Sequence, residues 1–231
     1  MTIRDIQEQV EDLIQVRTVL ASVFDKTGLE TLIPALVQQN PRLTILSTGG
    51  TYKKIDELLG PDASDQHLFE VGTYTGAPEM EGGLVKTLHP KIHAGILGER
   101  NNPAHQKYLE EMGGTFIDIV VVNLYPFDQV TTQKGCTFEQ ARGNIDIGGP
   151  TMLRAAAKNF LGCTVVCDPQ DYDKLLDNIK QNKGSTSFDF RRMLAGKAFA
   201  RTAAYEGSID RYLNEQFDNP KTIKELYLGK D

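Results

Sequence analysis

The sequence has little that would cross-link it and nothing that would carry it into a membrane. Its 231 residues include three cysteines, Cys136, Cys163 and Cys167, too few and too unevenly spaced for a disulfide framework, and they fit a reducing compartment. Cys163 and Cys167 flank the apolar run Thr164 to Val166 and read as buried core thiols, because a zinc site would want further Cys or His ligands at matched spacing. No apolar run approaches the roughly 20 residues needed to cross a bilayer. The first residues, MTIRDIQEQVEDLIQ, are acidic and lack an apolar signal core, so neither secretion nor organellar import is expected and the expected location is cytoplasmic. Excess positive charge is missing too. A net charge of −6 argues against a general nucleic-acid surface, although a local cluster of Lys, Arg and backbone amides can still hold a small anion. There is no internal repeat and no low-complexity segment.

What is present is ordinary for a globular chain: 40% hydrophobic and 24% charged residues. That is enough for one sizeable core, and a second full domain would be cramped. Ile3, Ile6, Val10, Leu13 and Ile14 fall at three- and four-residue steps, which predicts an amphipathic helix and marks residues 1–15 as a helical extension before a main domain over 16–231. Four runs rich in β-branched residues read as buried strands: Thr18 to Phe24, Leu43 to Leu46, Ile117 to Val122 and Cys163 to Val166. Helical patterns lie between them, over Leu29 to Gln39, Tyr52 to Leu59, Pro103 to Met112, Phe138 to Gly143, Thr151 to Asn159 and Asp171 to Gln181, and from Ser187 the chain reads as helix to Phe217. Pro34 is expected to kink or shorten the first of these. Strands alternating with helices of this size imply an α/β fold, a mostly parallel sheet flanked by helices on both faces. In such sheets ligands bind beyond the carboxyl ends of the strands, so those loops are the place to search.

Five loops stand out. In Ser22-Val23-Phe24-Asp25-Lys26-Thr27-Gly28, Asp and Thr are ordinary caps, but Lys26 near a helix start opposes the macrodipole and is better explained by an anionic ligand between them. In Ser47-Thr48-Gly49-Gly50-Thr51 the paired glycines let backbone amides approach an anion and the hydroxyls add donors, though a plain tight turn has the same signature; no Gly-Lys-Ser/Thr follows, so this is not a Walker loop. Gly82 to Leu97, GGLVKTLHPKIHAGIL, places Lys86, Thr87, His89, Lys91 and His93 close together. His89 and His93 read as structural rather than metal-binding, because Pro90 sits between them and no acidic partner is near. After the third strand, Asn123-Leu124-Tyr125-Pro126-Phe127 keeps Tyr125 out of helical geometry at the sheet edge. Finally, Asn144 to Thr151, NIDIGGPT, sets Pro150 in a helix's first turn and Gly148 and Gly149 where a ligand can approach closely. Asp146 would repel phosphate, so this loop should face the uncharged, reacting end of a ligand. Arg154 and Lys158, four apart on the following helix, form a like-charged pair of the kind that makes a lysine usable as a proton donor or acceptor, or else a solvated face.

Taken in order, SVFDKTG, STGGT, YTGAPEM, VKTLHPKIHAGIL, NLYPF, NIDIGGPT, LRAAAKN and KAFARTAAY, spread from about Thr18 to Tyr212, resemble the inosine-5'-monophosphate (IMP) cyclohydrolase domain, the N-terminal half of a bifunctional purine-biosynthesis enzyme that also carries a formyltransferase. The resemblance implies a methylglyoxal synthase-like fold with a five-stranded parallel sheet, usually as a homodimer. It also implies closure of 5-formamidoimidazole-4-carboxamide ribotide (FAICAR) to IMP, with loss of water and without cofactor or metal. The nucleotide-binding positions it implies are Phe24, Asp25, Lys26, Thr48, Gly49, Gly50, Thr51, Lys86, Thr87, Val122, Asn123, Asp146 and Ile147, to which the loops themselves add Ser22 and Gly148. Lys158 matches the family's proton donor and acceptor, and Lys86, Tyr125 and Asp146 match residues that support the closure. The chain is expected to be a stand-alone cyclohydrolase or an isolated domain, served by a separate formyltransferase. A sensing module of the same fold would need the phosphate loops but not Asp146 and Lys158 together, and a methylglyoxal synthase would not need NIDIGGPT and AAAKN.

The family usually reads Gly-Arg-Val-Lys-Thr where this chain has Gly83-Leu84-Val85-Lys86-Thr87, which removes a forked, permanent cation. Either another cation, with Lys91, Arg100 and Arg142 as candidates, supplies that charge, or activity is reduced; with Lys86, Thr87, Tyr125, Asp146 and Lys158 all present, an active enzyme is expected. Leu84→Arg is therefore expected to be tolerated, as steady-state turnover will show; complete loss of turnover in that variant would mean the pocket is built differently.

Overall fold

The computed structural model describes residues 10–77, 80, 84–217 and 220–228. After β1 (Leu13–Gln15), the strands β2 (Thr18–Val23), β3 (Thr44–Ser47), β4 (Leu68–Glu70), β5 (Ile119–Asn123) and β6 (Thr164–Val166) pair in parallel as one sheet, in the order β4-β3-β2-β5-β6. The sequence of β5, IVVVN, is buried at every residue, which a strand achieves only when both faces of its sheet are covered. The helices are α1 (Leu29–Gln39), α2 (Gly49–Leu59), α3 (Pro61–His67), α4 (Val71–Thr75), α5 (Pro90–Leu97), α6 (Pro103–Glu111), α7 (Phe127–Thr131), α8 (Phe138–Gly143), α9 (Gly148–Lys158), α10 (Tyr172–Gln181), α11 (Phe188–Phe217) and α12 (Pro220–Leu228). Helix α1 packs on α2 and α10, while α9 packs on α5 and α11, giving the α/β layering expected from the alternation of strands and helices. Cys163 and Cys167 lie in the core beside β6. Among the described residues no helix is long and apolar enough to cross a membrane.

Several local expectations change. The N-terminal helix falls mostly outside the described residues, and its last part is extended instead: Leu13–Gln15 alternates exposed, buried, exposed, and pairs antiparallel with β7 (Ser185–Ser187). Only Ile14 of the apolar pair Leu13 and Ile14 is buried, a period of two rather than of 3.6. Helix α1 runs through Pro34 to Gln39 and is not shortened. The segment after Leu88 forms α5, because Pro90 occupies the first turn, where it interrupts no hydrogen bond, and the His89 side chain caps the Lys91 N–H at 3.1 Å. Gly82 and Gly83 lie outside the described residues.

Arg191, on α11, is fully buried; its five guanidinium N–H groups meet five backbone carbonyls, those of Glu11, Asp12, Phe160, Leu161 and Thr186. That matches the full donor capacity of the side chain. Burial pulls its pKa down to about 10, so it remains charged at neutral pH and stitches the chain before β1 to β7 and to the loop after α9. Lysine offers three donors and would leave at least two carbonyls unpaired. Arg191→Lys should therefore cost about 3 kcal/mol and lower Tm by roughly 10 °C in thermal denaturation; an unchanged Tm would show that the carbonyls find water instead.

Candidate active site

The strand order reverses at β2, whose neighbours are β3 on one side and β5 on the other, and a crevice opens at the carboxyl ends of strands where such a reversal occurs. A cleft of roughly 750 Å³ lies there, lined from all five loops singled out above and of ordinary size for a small-molecule site.

Asn123, at the end of β5, joins two of those loops. Its Oδ1 accepts from Phe24 N at 2.8 Å and Asp25 N at 2.9 Å, and its Nδ2 donates to Asp25 O at 2.7 Å. Thr51 ties α2 to the same turn, accepting from Val23 N and donating to Val23 O. The Thr51 hydroxyl, expected as a ligand donor, is thus already bonded within the protein. Thr48 precedes α2 without capping it; its Oγ1 lies 3.2 Å from Ser22 Oγ. A methyl group on Gly50 would stand 3.8 Å from Lys26 Nζ, so the ammonium lies over the first turn of an uncapped helix. Two positive ends, a lysine and a helix N-terminus, therefore face one space. Asp25 does not line it: its carboxylate caps Thr27 N at 2.9 Å, and that bonding holds its pKa below the ordinary value. Val122 is buried within β5 and does not line it either.

The cleft is also walled by Lys86, Thr87, Tyr125 and the loop before α9. The ring of Tyr125 meets that of Phe24 at 4.9 Å between centroids and is half exposed. Asp146 Oδ1 accepts from Gly149 N at 2.9 Å. Burial raises the carboxyl pKa, against the opposing pull of the Gly149 and Gly148 N–H groups. Both glycines are required by close approach. A Cβ on Gly149 would overlap Asp146 Oδ2 and lie 2.8 Å from Leu124 Cδ2, and one on Gly148 would lie 2.7 Å from Thr87 Oγ1. Ile147 is exposed at the rim. Of the histidines, His93 is partly buried, which lowers its pKa, and its ring Nε2 has no hydrogen-bond partner among the described residues.

Two further expectations change. Lys158 does not line the cleft: it is exposed at the far end of α9, about 15 Å along the axis from Gly148. An eleven-residue helix cannot present both of its ends to one small ligand. Nor do Lys91, Arg100 or Arg142 replace the missing arginine. Lys91 donates to Tyr74 O, Arg100 pairs with Asp118 and Arg142 with Glu139, all off the cleft. Leu84 itself is exposed at the rim. Sequence reading also missed Tyr205 on α11, whose hydroxyl accepts from Asp146 N at 2.7 Å; it lay within the quoted KAFARTAAY, but no spacing tied it to residue 146.

Known proteins bear on this arrangement. Residues 28–151 match the family model of the MGS-like domain, and residues 156–229 match that of the AICARFT/IMPCHase bienzyme. The bifunctional purine biosynthesis protein PurH of Magnetococcus marinus is 45% identical over 218 residues, 93% of this chain and 39% of the relative; that of Rhodospirillum rubrum is 47% identical over 217 residues, 94% of this chain and 40% of the relative. The chain thus spans about two fifths of the length of these relatives. Among solved structures, that of ForH is 31% identical with a TM-score of 0.70, covering 84% of this chain and 97% of ForH. With the MGS-like model matching more than half of its length, the chain belongs to the MGS-like domain family, and its C-terminal third is similar to the AICARFT/IMPCHase bienzyme.

Proposed function

We propose that this chain is an IMP cyclohydrolase, a cytoplasmic enzyme that closes FAICAR to IMP in the last step of purine synthesis, with residues 16–231 as its catalytic unit. The observation that carries this reading is the division of the cleft: Lys26 beside the uncapped start of α2, and the half-buried carboxylate of Asp146 in the loop before α9, with Lys86 and Tyr125 in the same lining. A ribotide monophosphate has the same division. Its phosphate would take the hydroxyls, glycines and Lys26, and its imidazole substituents would lie by Asp146.

The chemistry follows from what the ring closure needs. The carboxamide nitrogen is a poor nucleophile and must be held against the formyl carbon. As the N–C bond forms, the carboxamide nitrogen gives up one proton and the formyl oxygen becomes a hydroxyl; that hydroxyl then leaves as water after taking a further proton, and the formamide nitrogen gives up its proton as the C=N bond forms, the other proton staying on the carboxamide-derived nitrogen. Asp146, whose pKa burial raises above the ordinary carboxylate value, suits the accepting role better than an ordinary carboxylate. Lys86 and Tyr125 line the same cleft and are the donors this reading assigns to the developing oxyanion. Lys158, matched to the family's proton donor and acceptor, serves this site from a second copy of the chain. Its exposure at the end of α9, beside Arg154 stacked on the half-exposed Phe199 ring, supports a homodimer built on the α9 and α11 surface.

Two experiments test this. Incubation with FAICAR and, separately, with dihydroxyacetone phosphate should give IMP and no methylglyoxal. Methylglyoxal instead, or IMP bound without either product, would replace the reading by a synthase or a sensing module. For the shared site, Asp146→Asn and Lys158→Ala should each lower kcat at least about a hundredfold. Unfolding and refolding the two together should restore about a quarter of wild-type activity, because half of the random dimers carry one intact site; a mixture as inactive as its parts would place both residues in one chain's site.

A further inference from the structure

Helix α11 carries Tyr205, Ser208 and Tyr212 at three- and four-residue steps, so they share one face. That face grips two loops of the cleft. Phe127, two residues after Tyr125, sets its ring edge-on to both tyrosines, at 6.4 Å from Tyr205 and 5.6 Å from Tyr212. Ser208 Oγ donates to Asp128 Oδ2 at 2.8 Å. The Tyr205 hydroxyl accepts from the backbone N–H of Asp146 at 2.7 Å, and the residue is only 7% exposed. Water has little access to take that bond over.

We propose that Tyr205 is a positioning residue for Asp146: its phenol oxygen fixes the Ile145–Asp146 peptide while the glycine amides of α9 fix the carboxylate. The two bonds act at opposite ends of one residue. The N–H sets where the Cα stands, and the Gly149 N–H at 2.9 Å sets which way the carboxylate points. With the first bond lost, the buried N–H has no acceptor and the loop must shift to find one. A general base displaced by even about 1 Å loses rate rather than affinity. Binding at the phosphate side, built on α2 and the β2 loop, does not depend on α11. The proposal rests on the cyclohydrolase reading for its kinetic consequence but not for its structural one.

Tyr205→Phe removes the hydroxyl and keeps the ring that packs on Phe127. In the full chain we expect kcat for ring closure to fall about tenfold with KM changed less than about threefold, and amide exchange at Asp146, followed by NMR, to rise at least about tenfold while the core strands are unaffected. Wild-type kcat in the variant, or unchanged exchange at Asp146, overturns the proposal, as does a rise in KM that accounts for the whole loss. If the wild-type chain closes no ring, the functional reading fails by itself, and the exchange measurement still decides whether Tyr205 holds Asp146.

Discussion

At the carboxyl end of β5 one amide side chain makes three hydrogen bonds to the turn that leaves β2: Asn123 accepts from Phe24 N and Asp25 N and donates to Asp25 O. The two strands are neighbours in the sheet, but the chain travels from β2 to β3 and β4 in one direction before β5 and β6 build in the other. Backbone groups at this reversal have no strand to pair with, and buried N–H and C=O groups must find partners. Asn123 supplies them, and Thr51 does the same from the β3 side through Val23. Removing either would leave orphaned backbone groups at the floor of the cleft, and the remaining loops are placed relative to that floor.

The second constraint is electrostatic. Lys26 and the start of α2 give one side of the cleft an excess of positive ends, with no acidic residue in the first turn of the helix to offset them. On the other side Asp146 is held in a partly desolvated position by glycine amides that only residues without a Cβ allow so close. These two environments suit opposite ends of a phosphorylated ligand, and the reading of the chain as a cyclohydrolase follows from that separation together with its family.

Much of this was legible in the residues. Strands β2, β3, β5 and β6 announce themselves as β-branched runs, and the loops after them carry glycines, hydroxyls and lysines that no packing role demands. What escaped had weak local signals. Strand β4 is three residues long, β1 and β7 pair only with each other, and α5 begins with a proline that also resembles a break. Tyr205 acts through a contact 59 positions away and Arg191 through contacts as far as 180 positions away, and no periodicity reveals them. Lys158 is the converse case. Its motif is plain, yet helix geometry carries it away from Asp146, because a role assigned by similarity does not say which copy of a chain fulfils it.

The account turns on how a nucleotide lies in the cleft, and a crystal structure with IMP bound would test that most directly. The phosphate should lie against Lys26 and the Gly49 and Gly50 amides, the base beside Asp146 and Tyr125, and a lysine 158 from a neighbouring copy within reach of the base. A nucleotide bound with its phosphate at Asp146, or outside the cleft, would contradict it.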